Sequence, residues 1–196
     1  ISLEQQSAQA YAQLDKYYDE RAGGFFQAPK FPHETYLSFL LGYYTLTENG
    51  ANADRALDMV TRSLSRMAAG GMYDQVGCGF HRYAVDKEWY VPHFEKMLYN
   101  QAQMARLYTE AARLTGNPYF ADIARSVLEF VGGPMTSGTG GFYAGIDAET
   151  DGVEGAHYVW NANELQSLLT PEELTLLTAF YALADVPAFP GHKHPD

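Results

Sequence analysis

The chain has 196 residues, enough for one domain with its own core, and its hydrophobic content of 46% is ordinary for a globular protein. A net charge of -11 repels nucleic acid and anionic membranes and leaves neutral or cationic ligands as the natural partners. No apolar run approaches the ~20 residues that span a bilayer, the N-terminus lacks a signal-peptide pattern, and the single cysteine, Cys78, excludes an internal disulfide framework and points to a reducing, cytoplasmic setting.

In chain order, residues 3–19 read as a helix with apolar Leu3, Tyr11, Leu14 and Tyr18 and one polar face, stopped by Gly23-Gly24. After Pro32, residues 33–48 carry Tyr36, Leu37, Phe39, Leu40, Leu41, Tyr43, Tyr44 and Leu46 on nearly every face, the pattern of a helix buried all round. Residues 52–68 return to one-sided patterning, with Ala53, Ala56, Val60, Leu64 and Met67 in register and Arg55, Asp58, Arg62 and Arg66 elsewhere. The segment 94–115 is again more apolar, 118–131 again amphipathic, and 172–183 starts at Pro171 and is apolar with little polarity.

This alternation of half-wet with fully apolar helices predicts an all-α fold in which outer helices cover inner ones, a partial (α/α) toroid of about three helical hairpins with one β-hairpin insertion. Residues 1–196 are expected to form a single helical domain. Three pairs are half of an (α/α)6 ring and the chain starts at Ile1, so a fragment of a longer protein is expected. Exposed flanks of inner helices would then favour a homo-oligomer or the remainder of its own chain as partner.

Glycine pairs beside aromatic residues occur at Gly23-Gly24-Phe25, Gly70-Gly71-Met72-Tyr73 and Gly140-Gly141-Phe142, each between an outer and an inner helix, so ring topology brings the three loops to one end. Two loops end in Pro-His, Pro32-His33 and Pro92-His93, and proline favours a first helical position, which predicts inner-helix N-termini at this end. The last connection reads as a hairpin with arms 141–147 and 156–160. Its tip has carboxylates at 147, 149, 151 and 154 but lacks the twelve-residue calcium pattern.

The segment Gly70 to Leu98 (GGMYDQVGCGFHRYAVDKEWYVPHFEKML), with Ala28–Pro32 (APKFP) and the closing HYVW, resembles the YyaL-type thioredoxin-domain-containing family, the spermatogenesis-associated protein type. The resemblance covers most of residues 20–165. It implies a thioredoxin-like domain before residue 1, more helical hairpins after residue 196, and a likeness to six-hairpin glycosidases and N-acylglucosamine 2-epimerases. Cys78 stands where that family usually has glycine.

The candidate catalytic residues are His81, His93, Asp74, Glu95 and Asp147. An imidazole with pKa near ~6.5 exchanges a proton at physiological pH, a carboxylate beside it fixes its tautomer, and a 2-epimerase needs such groups on both faces of one carbon. Asp74, Glu95 and Asp147 are the carboxylates that a glycosidase would need; Asp74 reads equally as a turn or cap residue, and Glu95 as a first-turn acid complementing the helix dipole. Tyr73, Arg82, Trp89, Tyr143 and Trp160 are the candidate substrate-binding residues, although aromatic side chains at this density, Phe80 and Tyr83 included, also read as core. Lys30 reads equally as snorkelling or binding. No metal and no cofactor are expected, since one cysteine and no His-Glu-x-x-His cannot build a zinc site. His192 and His194 read as inert. The function expected is a carbohydrate-active domain with a small-molecule, sugar substrate, epimerase-like or glycosidase-like; the alternative is a non-catalytic binding or scaffold module for a thioredoxin-like domain.

Overall fold

The structure, a computed structural model, describes residues 2–47 and 50–181. Leu183, expected at the end of the last helix, and His192 and His194 lie outside the described residues. Where the sequence suggests one unit, the structure divides into two, Ile1–Asp147 and Ala148–Asp196.

The first unit holds α1 (Leu3–Tyr17), α2 (Glu34–Leu46), α3 (Ala51–Ala69), α4 (Leu98–Thr115) and α5 (Pro118–Gly132). α1 opens in a capping box, in which Ser2 Oγ accepts from the Gln5 N–H and the Gln5 side chain accepts from the Ser2 N–H. α3 buries Ala53, Ala56, Met59, Val60, Ser63, Leu64, Met67 and Ala68, the three-and-four spacing of an amphipathic face. α5 starts with Pro118 after the Asn117 cap and buries Phe120, Ile123, Ala124, Val127 and Phe130. α2 and α4 lie side by side, with α1 and α3 on α2 and α5 on α4, which is the outer-over-inner order the hydrophobic pattern implies. Leu37, Leu40, Leu64, Met104 and Tyr108 meet in the core between them, where Tyr108 OH donates to the Leu64 carbonyl at 2.7 Å.

Three expectations change. α2 is not buried all round: Leu46 is 85% exposed and Thr35 and Thr45 face water. α4 begins at Leu98 rather than 94, because the residues before it are claimed by strand pairing: β1 (Tyr83–Ala84) pairs antiparallel with β2 (Pro92–His93), and β3 (Lys96–Met97) with β4 (Gly145–Ile146). Pro92 therefore opens no helix. The long hairpin also has different partners, since β4 joins β3 and not residues 156–160. The second unit has its own tight hairpin, β5 (Glu149–Thr150) with β6 (Val153–Glu154), turning at Asp151 and Gly152 with positive φ. Two helices with capping boxes follow, α6 (Ala162–Leu168) and α7 (Pro171–Phe180). α6 is too short to show a period in sequence, and α7 buries no residue despite its apolar character.

The three loops do meet in the first unit. Lys30 and Ala84 exchange backbone hydrogen bonds of 2.7 and 2.9 Å, tying the first loop to the second, and the β3–β4 pair ties the second to the third. Two of the glycine pairs exist for this closure. Trp89 is fully buried and donates from Nε1 to the Ala22 carbonyl at 2.9 Å. A Cβ on Gly24 would enter its ring, and a Cβ on Gly70 or Gly71 would strike the carbonyl oxygens of Trp89 or Tyr90. Gly140 has open space around it and serves only a turn at φ +86. Gly71→Ala is therefore expected to lower the unfolding free energy by about 1–3 kcal/mol through overpacking. Gly42→Ala, on a helix with nothing near the added methyl, is expected to raise it by about 0.5–1 kcal/mol. Chemical denaturation of both variants checks the pair, and equal effects would contradict the packing account.

Candidate functional site

Two buried lysines frame the loop end. Lys30, with no exposed surface, donates to Asp19 Oδ2 at 2.6 Å and to the Lys87 carbonyl at 3.0 Å, with its Nζ 5.0 Å from the Trp89 ring centroid. Lys96 repeats the arrangement, donating to Asp74 Oδ2 and the Cys78 carbonyl, both at 2.7 Å, with Nζ 4.5 Å from the Phe130 centroid. Lys30 thus pairs rather than snorkels. Burial pushes the Asp74 carboxyl up, but the bond from Lys96 and the N–H groups of Gly77 and Val76 outweigh it, so its pKa is lowered. Cys78 has φ +63, the left-handed conformation that favours glycine.

A second cluster faces solvent. Arg82 Nη1 donates to Glu95 Oε2 at 3.0 Å, and the same oxygen lies 3.8 Å from His93 Nε2. Arg82 Nε donates to Tyr99 OH at 3.2 Å. The three side chains of Arg82, Glu95 and His93 are 41%, 27% and 25% exposed. Strand pairing positions them: Tyr83 faces His93 across β1–β2, so their rings stack at 4.9 Å, and Phe31 also stacks on Tyr83, at 4.8 Å. Continuing the Lys96–Ile146 register by one residue sets exposed Asp147 opposite Glu95.

The remaining candidates lie elsewhere. His81 is buried, its Nδ1–H donating to the Phe94 carbonyl at 3.0 Å; burial and then the Lys96 charge push its pKa down to about 4. Tyr73 is buried with its hydroxyl 2.7 Å from Ser126 Oγ, and Trp89 is core. Tyr83 is half-buried and stacks with both Phe31 and His93. Tyr143 is 51% exposed just before β4, and Trp160, equally exposed, belongs to the second unit. The sequence reading passes over Tyr99 and over His33, which sits at the start of α2 among Phe25, Phe26, Phe31 and Tyr36. The repeat of Pro-His at 32–33 and 92–93 is the signal that marks His33. Cavities of about 720 Å³ open beside Lys16, Asp19 and Phe26, and beside Leu3, Phe39 and Leu46; neither is lined by the His93 cluster, which is an open surface.

Helical hairpins with their connecting loops gathered at one end define the fold, part of an (α/α) toroid. The chain superimposes on a sugar epimerase from a ruminal bacterium with a TM-score of 0.62 at 17% identity, covering 79% of this chain and 44% of that one. For cellobiose 2-epimerase from Bacillus thermoamylovorans B4167 the TM-score is 0.59 at 16% identity, over 73% and 40%. These likenesses establish the fold. No protein-family model matches the chain. In sequence it is homologous to spermatogenesis-associated protein 20, 42% identical to that of Mus musculus over 198 residues and 46% identical to that of Homo sapiens over 168. These matches take in 92% and 81% of this chain but 25% and 21% of those proteins, so the chain spans about a quarter or less of the length of the curated relatives it matches. No described helix is long and apolar enough to cross a membrane.

Two predictions follow from the buried groups. Lys96→Met strands the Asp74 carboxylate and is expected to cost about 3–5 kcal/mol, with part of the loss recovered by adding Asp74→Asn. His81 has a folded pKa of about 4, below its ordinary 6.5, so the unfolded chain takes up this proton first as pH falls. Its stabilising contribution is complete above about pH 6.5 and is lost on the way down to pH 4, by about 3 kcal/mol in total. Asp19 and Asp74, with pKa values lowered from 3.8, act mainly below that window. Denaturation at pH 7 and pH 4.5 should show a steeper loss for the wild type than for His81→Gln; parallel losses would contradict the assignment.

Proposed function

We propose that the loop end of the first unit binds a sugar, and that His93, Glu95 and Arg82, with Asp147 opposite, are the reacting part of an epimerase-like site. The observation that carries this reading is the shared Glu95 oxygen, held by Arg82 at 3.0 Å and facing His93 Nε2 at 3.8 Å on a half-exposed surface. Arg82 fixes the carboxylate, the carboxylate orients the imidazole, and Tyr83 limits its rotation by stacking. Epimerisation next to a carbonyl removes the proton from carbon, places the electron pair on the carbonyl oxygen, and returns a proton to the opposite face. An oriented imidazole serves either proton step. The ring fold shared with sugar epimerases supports the substrate class, and the net charge of -11 suits a neutral sugar. A glycosidase reading draws on Glu95 and Asp147, whose positions the β3–β4 register, continued by one residue, sets opposite each other.

The scaffold reading, a non-catalytic module beside a thioredoxin-like domain, draws on the burial of His81, Tyr73 and Trp89, each bonded within the protein. Calorimetric titration of the full-length protein with N-acylated and neutral sugars separates the two. The sugar reading expects binding that Glu95→Gln and Arg82→Gln each weaken about tenfold, the worth of one charge-assisted hydrogen bond. It also expects deuterium from D₂O at the carbon beside the carbonyl of any sugar turned over. A folded protein that binds none of the panel would favour the scaffold.

A further inference from the structure

We propose that His33 is a second ligand-contacting side chain of this site, reached along a row of aromatic rings from His93; the proposal rests on the sugar-binding reading above. Three histidines occupy the loop end of the first unit. His81 is bonded to Phe94 and His93 faces Glu95, whereas neither ring nitrogen of His33 has a hydrogen-bond partner among the described residues. The backbone holds this imidazole in an unusual way. At φ +50 and ψ +52 it occupies the left-handed region, where a non-glycine residue costs about 1–2 kcal/mol, and its carbonyl accepts from the N–H groups of Tyr36 and Leu37 at 2.9 and 3.2 Å.

The surroundings fix the ring without using its nitrogens. Tyr36 stacks flat on it at 4.8 Å and 3°, Phe26 meets it edge-on at 5.3 Å and 72°, and Phe31 lies 6.3 Å away. Phe31 stacks on Tyr83, and Tyr83 on His93, so a continuous row of rings joins the two Pro-His histidines. Phe26 and Phe31 are 41% and 37% exposed, which leaves apolar ring surface beside His33 for the C–H face of a sugar. Burial lowers the His33 pKa, favouring the neutral ring. A neutral imidazole has one N–H donor and one lone-pair acceptor, the complement of a hydroxyl group, and among the described residues neither is used.

If His33 were only another aromatic side chain in this nest, phenylalanine would serve equally well. The test treats the full-length protein with diethylpyrocarbonate at pH 7, with and without each sugar of the panel, and reads the adducts at His33 and His93 by peptide mass spectrometry. His33 is expected to be modified in free protein and protected by a sugar that also protects His93. His33→Phe should melt like the wild type and bind about tenfold more weakly, while His33→Gln, which keeps a donor and an acceptor, should retain most of the affinity. Protection of His93 without His33, or full-strength binding by a folded His33→Phe, overturns this proposal and leaves the sugar site standing. A folded protein in which no sugar protects either histidine overturns both.

Discussion

The two lysine–aspartate pairs are the constraint on which the loop end depends. A lysine ammonium without exposed surface is tolerated only when its charge and its donors are satisfied, and each pair meets that demand in the same way, with one carboxylate, one backbone carbonyl and one aromatic face. The partners come from different stretches of chain. Lys30 holds Asp19 and the Lys87 carbonyl, so the first loop cannot move without the second; Lys96 holds the Asp74–Cys78 turn against Phe130 of α5. These bonds act as cross-links where helix packing ends and irregular backbone begins. Buried pairs of this kind add less net stability than their geometry suggests, because desolvation offsets most of the attraction, yet losing one partner is severe. They specify which loop conformation is adopted.

The rest of the loop architecture follows from that specification. Once Lys30 fixes the first loop against Lys87, Trp89 fills the space between them, and only glycine fits at positions 24, 70 and 71. Closure brings Tyr83 into register with His93, and the strand pair ending at Met97 delays the start of α4 until Leu98. His93 is therefore carried on β2, and Arg82 and Glu95 on the backbone flanking these short strands, in loops cross-linked by the buried ion pairs. That is a stiffer mounting than a free surface loop, and stiffness is what a carboxylate–imidazole pair needs to keep one geometry.

What sequence made legible was periodic. The one-sided pattern of α3 and α5 and the apolar character of α2 and α4 predict the outer and inner layers, because helical spacing of apolar residues is set by burial and little else. The three loops meet at one end because topology requires it. What sequence did not reveal depends on contacts distant along the chain. Lys30 reads equally as snorkelling or binding until Asp19 and the Lys87 carbonyl are seen beside it. Asp74 and Tyr73, drawn as site residues, are consumed by Lys96 and Ser126. The third glycine pair resembles the first two in sequence but has no tryptophan to admit. β4 pairs with β3 rather than with residues 156–160, a choice between strands that a run of alternating residues cannot make on its own.

The same contacts change what kind of ligand this end can hold. Part of the anion-binding capacity of the inner-helix N-termini is already taken, since the Leu98 N–H donates to the Ala144 carbonyl and the Tyr36 N–H to that of His33. α4 also has no acidic residue in its first turn, since Glu95, which would have occupied it in a helix starting at 94, lies on strand-flanking backbone and faces Arg82 and His93 instead. On the proposed reading recognition comes from side chains: hydrogen-bonding groups at Arg82, Glu95 and His93, aromatic surface at Phe26 and Phe31, and the nitrogens of His33, which have no hydrogen-bond partner among the described residues. With an overall charge of -11 around it, that combination of polar groups and apolar rings favours the proposed neutral polyhydroxylated ligand over an anion.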